Sequence, residues 1–292
     1  MKRLFSLLGL ISILLCGCAS PAEPADIAAT TLPVYEFTAR LCEGTGLTVT
    51  RLVTENVSCL HDYALNVNQV KAAEAAGLIV ISGAGLEEFM DDILADKDTV
   101  DASAGIQLLE SCHEHEHEDD HGNEHHHEAD AHIWLSPENA AAMSINICAG
   151  LTAKYPQHQA AFESNLSALL ADIAALQAYG ETQLSALSQA EIITFHDGFA
   201  YLAHSYGLEI VKAIEEESGS EASAAELKEI IGIVREHEMP AIFTEVNGSC
   251  SAADTIAAET GAKIYTLDMA MSGESWFDAM YHNIDTLKEA LE

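Results

Sequence analysis

Positive charge is what this sequence has least of. Against 47 aspartates and glutamates stand only 12 lysines and arginines, a formal charge of −35. Such a chain repels nucleic-acid phosphates and anionic headgroups and draws cations toward itself, so nucleic acid is excluded as a partner. The signatures of common catalytic sites are missing too: there is no G-x-S-x-G, no P-loop and no basic patch interleaved with aromatics. Gly83-Ala84-Gly85 follows an apolar run as a dinucleotide loop would, but Glu88 replaces the third glycine and Glu87 would repel a pyrophosphate. His113–His117 and His117–His121 both spell H-E-x-x-H, yet the tract around them lacks the apolar face of a metalloprotease helix. The chain reads as a binder, not an enzyme. No C-x-x-C spacing occurs, and beyond the N-terminus no run approaches the roughly twenty apolar residues of a membrane-spanning helix.

The N-terminus points to a compartment. Lys2 and Arg3 precede an apolar run, Leu4 to Leu15, that suits a secretory leader, and Leu15-Cys16-Gly17-Cys18 resembles a bacterial lipobox. Residues 1–17 are expected to be a signal peptide and 18–25 a tether acylated at Cys18. The mature protein would then be extracytoplasmic and lipid-anchored to a bacterial membrane. Cys42, Cys59, Cys112, Cys148 and Cys250 remain, an odd number that leaves at least one thiol unpaired in an exported protein; the sequence assigns no bridge.

What the chain has in excess is histidine in one place. His113, His115, His117, His121, His125, His126 and His127 lie in an acidic tract, residues 112–130, with too little apolar surface to offset the entropy of ordering it. It is expected to be a mobile loop whose imidazoles and carboxylates trap borderline divalent cations weakly and reversibly. Cys112 adds a soft donor at its edge. Immediately after it, His132 is followed by Ile133-Trp134-Leu135, an apolar run able to hold a ring still.

From Asp26 onward, short apolar runs alternate with helical periodicity, the rhythm of parallel sheets covered by helices. Strands are expected at 27–32, 47–52 and 78–81, and helices at 34–42, 68–76 and 86–94. Ser136-Pro137 opens a helix to about Lys154, serine as the cap and proline at the first helical position. A helical pattern at 157–187, roughly 45 Å long if unbroken, exceeds what one lobe needs and reads as a rod between two. The alternation then resumes, with a capping box at Ser223-Ala224-Ala225-Glu226. The fold class is therefore α/β: two α/β lobes with mostly parallel sheets joined by a long rigid linker helix, with a metal cleft between the lobes. The N-terminal lobe is expected over 26–155, the linker over 156–187 and the C-terminal lobe over 188–292.

His61, His132, His196 and Asp268 share one setting, at the end of an expected strand or in the loop after it. Spaced 71, 64 and 72 residues apart, they need a fold that already brings them together, unlike the closely spaced ligands of a zinc knuckle. Three imidazoles and a carboxylate suit tetrahedral zinc, although each histidine taken singly is an ordinary loop residue.

Leu60-His61-Asp62-Tyr63, Asp130-Ala131-His132-Ile133-Trp134-Leu135-Ser136-Pro137, His196-Asp197-Gly198-Phe199-Ala200-Tyr201 and Leu267-Asp268 occur in an order and spacing similar to those of the zinc- and manganese-binding solute-receptor lipoproteins of ABC importers, the ZnuA/AdcA-like group. The resemblance covers essentially the whole mature chain. It implies that His61, His132, His196 and Asp268 are ligands of a transported Zn2+ and that an ABC permease with its ATPase receives it. A monomer is expected. Histidine at the third position resembles the zinc branch; manganese receptors carry glutamate there, which makes Mn2+ the lesser alternative. Two positions depart from the pattern. Ala131 stands where the family usually has proline, and Met269-Ala270 where it has Pro-Leu, a proline that would fix the turn aiming the Asp268 carboxylate. Glu245, at the end of an expected strand, is a reserve fourth ligand or a hydrogen-bond partner to one. Two readings of other classes stay open: a zinc metallohydrolase with Glu245 as its base, and a surface metal store or adhesin in which the histidine tract alone matters.

Overall fold

The computed structural model describes residues 25–57, 60, 63–110, 129–187, 189–215, 222–246 and 251–292. The leader, Cys18, most of the tether, His61, the histidine tract, Cys59, Cys112 and Cys250 lie outside the described residues.

A parallel sheet needs helices to cover its faces, and the chain builds such a sheet twice. Ile27–Ala29 (β1) leads through Leu32–Leu41 (α1) to Val49–Arg51 (β2). Val67–Ala75 (α2) leads to Leu78–Ile81 (β3), and a 3-10 turn at Glu88–Met90 with Asp91–Leu94 (α3) leads to Thr99–Asp101 (β4). All pairings are parallel, in the order β2-β1-β3-β4. Two long helices follow, Pro137–Lys154 (α4) and Gln159–Leu184 (α5). The second lobe then runs Glu191–His196 (β5), Ala200–Ser205 (α6), Glu209–Glu215 (β6), Ala224–Glu236 (α7), Ala241–Glu245 (β7), Ser251–Thr260 (α8), Lys263–Leu267 (β8) and Trp276–Leu291 (α9). Its order, β6-β5-β7-β8, again all parallel, repeats that of the first sheet.

Local chemistry sets the helix starts. Ser136 Oγ accepts from Asn139 N–H at 3.3 Å with Pro137 in the first turn, and Ser223 and Glu226 form the reciprocal capping box. Elsewhere the expected boundaries shift. Strand 27–32 is cut to Ile27–Ala29 because Pro33 starts a helix at Leu32. The helix expected at 86–94 is a 3-10 turn followed by one α-turn. Strand β4 was not expected, since its half-exposed Thr-Val-Asp carries too little apolar signal.

Helix α5 has 26 residues, about 39 Å at 1.5 Å per residue, and follows a 3-10 turn at Pro156–His158 instead of starting at the proline. Near its start, Asn165 Nδ2 donates to the carbonyls of Leu41 and Glu43 at 2.9 Å, and at its middle Asp172 pairs with Arg40 of α1. Near its end, Tyr179 Oη donates to Asp285 at 2.6 Å and Gln183 accepts from Lys288, both on α9. Gly180 makes one contact possible: a Cβ there would lie 2.3 Å from the Tyr206 ring. The helix therefore grips both lobes. One apolar core runs through α1, α4, α5 and α9 and across both sheets, with smaller clusters behind each sheet.

Where strand order reverses, parallel sheets open a crevice at their carboxyl ends. In the first sheet, the buried Glu87 fills that place, accepting from Thr30 Oγ1 (2.6 Å), Ser82 N–H (2.7 Å) and Gly83 N–H (3.0 Å). In the second sheet it is lined by His196 and Glu245.

Candidate metal centre

His196 is the last residue of β5 and Glu245 the last of β7, each two beyond the paired Thr194 and Phe243. Glu245 pairs in register with Leu267, so Asp268 follows at the next strand end. Three candidate side chains thus stand at the carboxyl edges of three adjacent strands, His196 and Glu245 buried and Asp268 half-buried.

His132 comes from the other lobe. It precedes a 3-10 turn, Ile133–Leu135, whose three side chains are wholly buried and anchor the segment. Asp130 Oδ1 lies 2.8 Å from both the backbone N–H and Nδ1 of His132. The carboxylate accepts the Nδ1 proton, which leaves the lone pair of the neutral ring on Nε2. That Nε2 is 3.5 Å from Nε2 of His196, with the rings 5.2 Å apart and nearly perpendicular. His132 is 4% exposed and His196 3%. Gly198 keeps the space between them open: a Cβ there would lie 2.7 Å from His196 Cδ2 and from Met269 Cε, and 3.0 Å from His132 Cε1.

Tyr201 fixes the approach of the His132 segment. Its hydroxyl donates to the Asp130 carbonyl and accepts from Leu109 N–H, both at 2.9 Å. Burial pushes the Tyr201 phenol up to about 12, so it remains a donor at any physiological pH. On the Asp268 side, Asn283 bonds the backbone N–H and carbonyl of Asp268, each at 2.7 Å, and Asp268 Oδ1 accepts from Ala270 N–H at 2.8 Å. Trp134 Nε1 donates to the Met269 carbonyl at 2.7 Å.

The fold therefore joins His132 and His196 directly and brings Asp268 and Glu245 to the same strand edges. His61 falls outside the described residues, as do the tract histidines. Among the described residues, no group of three or more His, Cys, Asp or Glu side chains stands close enough to hold a metal. The helical histidines lie elsewhere: His237 Nδ1 pairs with Glu191 at the far end of β5, and His282 contacts the Thr266 carbonyl. Cys42 and Cys148 are free and buried, and burial lifts the Cys42 thiol to about 12, too high for a ready thiolate ligand. Sequence reasoning missed Asp130 as the partner of His132; the signal was a carboxylate two residues before a histidine. It also missed Asn283, Gly198 and the Trp134 indole, which act on residues far away in sequence.

Residues 27–290 match the family described as "Zinc-uptake complex component A periplasmic", ZnuA. The chain belongs to this family. It is 32% identical to the zinc-binding lipoprotein AdcA of Streptococcus pneumoniae serotype 4, over all of this chain and 62% of that protein. The chain thus spans less than two thirds of the length of that relative. It is 31% identical to the high-affinity zinc uptake system protein ZnuA of Bacillus subtilis, over 94% of this chain and 92% of the relative. The Zn(II)-bound ZnuA-like domain of S. pneumoniae AdcA superposes with a TM-score of 0.76 at 29% identity, covering 91% of this chain and 98% of that one. Two parallel sheets of the same strand order and a long helix between them are thus the architecture of a ZnuA family member.

Proposed function

We propose that this chain is the zinc-binding receptor of an ABC importer, an extracytoplasmic lipoprotein anchored at Cys18 that takes Zn2+ from dilute solution and delivers it to a permease and its ATPase. The observation that carries the reading is the 3.5 Å between the Nε2 atoms of His132 and His196. Zinc with Zn–N roughly 2.0–2.1 Å and tetrahedral angles holds two imidazole nitrogens about 3.3 Å apart. The two ring nitrogens thus stand close to the spacing that the ion requires. His61 and Asp268 complete the set, Asp268 through the oxygen that does not cap its own turn, and Glu245 supports it from the neighbouring strand end.

Imidazole-rich coordination favours zinc over manganese, which prefers oxygen donors. Three imidazoles and a carboxylate fill a tetrahedron and leave no position for a reactive water, which makes the centre a carrier and not a hydrolase. The names of the relatives, zinc-binding lipoprotein and zinc uptake protein, support the same cargo and location. Residues 26–155 and 188–292 serve as the two lobes and 156–187 as the strut, and the protein works as a monomer. The histidine tract gathers further ions weakly.

Competitive titration of metal-free protein against a chromophoric chelator tests the proposal. One zinc site should be far tighter than the rest and should disappear in His132→Ala and His196→Ala. Deleting 112–128 should remove the weak sites and leave the tight one; loss of the tight site on that deletion would contradict the assignment.

A further inference from the structure

We propose that Asn283 is a positioning residue for the zinc site, its side-chain amide clamping the backbone of Asp268 and so aiming that carboxylate. The inference rests on the reading of Asp268 as a ligand given above. Asn283 is 0% exposed, on the buried face of α9 beside Met280, Ile284 and Leu287, all fully buried. An amide placed in such surroundings is costly unless both its ends are paired. Here both ends go to one residue: Oδ1 accepts the Asp268 N–H and Nδ2 donates to the Asp268 carbonyl, each at 2.7 Å. Two bonds to the donor and acceptor of a single residue fix its backbone orientation as well as its position. A side chain that merely filled the core would need neither.

The rest of the turn is held by one bond from outside and one of its own. The Met269 carbonyl accepts from the Trp134 indole at 2.7 Å, and Ala270 N–H donates to Asp268 Oδ1 at 2.8 Å. Ala270 sits at φ 53°, a left-handed conformation that residues with a Cβ rarely adopt unless their surroundings impose it. The Asp268 carboxylate helps make this bend locally through Ala270 N–H, and Asn283 and Trp134 fix where it stands. Helix α9 packs against β8, α5 and α1, so the clamp ties the direction of one candidate ligand to the rod and to the opposite lobe.

The test is a double-mutant cycle in the full chain, with Asn283→Leu, Asp268→Ala and the pair. Zinc affinity is read by chelator competition, and the visible absorption of the Co2+-loaded protein reports coordination geometry. Asn283→Leu should weaken zinc about tenfold to a hundredfold and alter the Co2+ bands, as loss of groups that orient ligands does. On the Asp268→Ala background it should add less than about twofold, because the group it positions is already gone. Asn283→Asp keeps the acceptor for the Asp268 N–H and loses the donor to its carbonyl; it should behave the same way if the leucine variant fails to fold. Equal losses on both backgrounds, or an unchanged affinity and Co2+ spectrum in Asn283→Leu, would overturn the positioning role alone. An unchanged affinity in Asp268→Ala would overturn the ligand assignment, and the positioning role with it.

Discussion

Trp276 donates its indole N–H to the carbonyl of Trp134 at 3.0 Å, joining the chain's two tryptophans across the lobes. Glu36 of α1 in turn accepts from Trp276 N–H at 2.5 Å, and Trp134 reaches back to Met269. The contacts alternate between lobes, from α1 to α9, to the segment after His132, and to the turn after Asp268. The two sides of the seam are therefore registered to each other through backbone groups.

Because the Trp134 ring centroid lies 5.3 Å from that of His132, capture of zinc there should change tryptophan emission. The response to one equivalent of Zn2+ is expected to survive in Trp276→Phe and to vanish in Trp134→Phe. A zinc-dependent change carried by Trp276 alone would place the ion away from His132.

Asp130 holds the His132 ring through Nδ1 and its backbone N–H through the same oxygen. Asp130→Asn puts a neutral amide there and weakens the basicity of Nε2. Zinc affinity should fall about tenfold to a hundredfold in chelator competition while the fold is retained.

Gly198→Ala asks what the open space is for. Its Cβ would press on His196, Met269 and His132 at 3.0 Å or less, so the two rings must move apart. Expected outcomes are a loss of about 1–3 kcal/mol in unfolding free energy and a zinc affinity reduced at least about tenfold. Denaturant unfolding and titration of the same samples read both.

Much of this was legible in the sequence because it was local. Ser136-Pro137 and Ser223-Glu226 name helix starts whose caps are complete within four residues. The continuous apolar Leu78-Ile79-Val80-Ile81 read as a short strand, and the overlong pattern after Pro156 pointed to a strut. His196 and Asp268 were nameable from their place at strand ends, and His132 from the apolar run that follows it. What was hidden depends on distant partners: β4 is a strand because β3 offers it an edge, Asn283 bonds the Asp268 backbone from α9, and the Met269 carbonyl is held by Trp134 from 135 residues away. No window of sequence contains such relationships.

Glu87 makes a prediction about pH. Burial pushes its carboxyl up to about 7 against the pull of three hydrogen bonds. A group whose pKa is higher folded than unfolded stabilises the fold fully below the unfolded value, 4.5, and loses that contribution as pH rises through about 7. Glu87→Gln cannot titrate and turns an amide toward donors, so it should be less stable than wild type throughout. The difference should shrink from pH 4.5 to 7.5, which melting curves across that range would read.

The central claim is that one ion lies between His132 and His196. Zinc K-edge X-ray absorption on protein loaded with a single equivalent tests it most directly, wild type beside His196→Ala. The expected result is a four-coordinate spectrum with the scattering of three imidazoles, losing one of them in the variant. A spectrum that is the same in both proteins would contradict it.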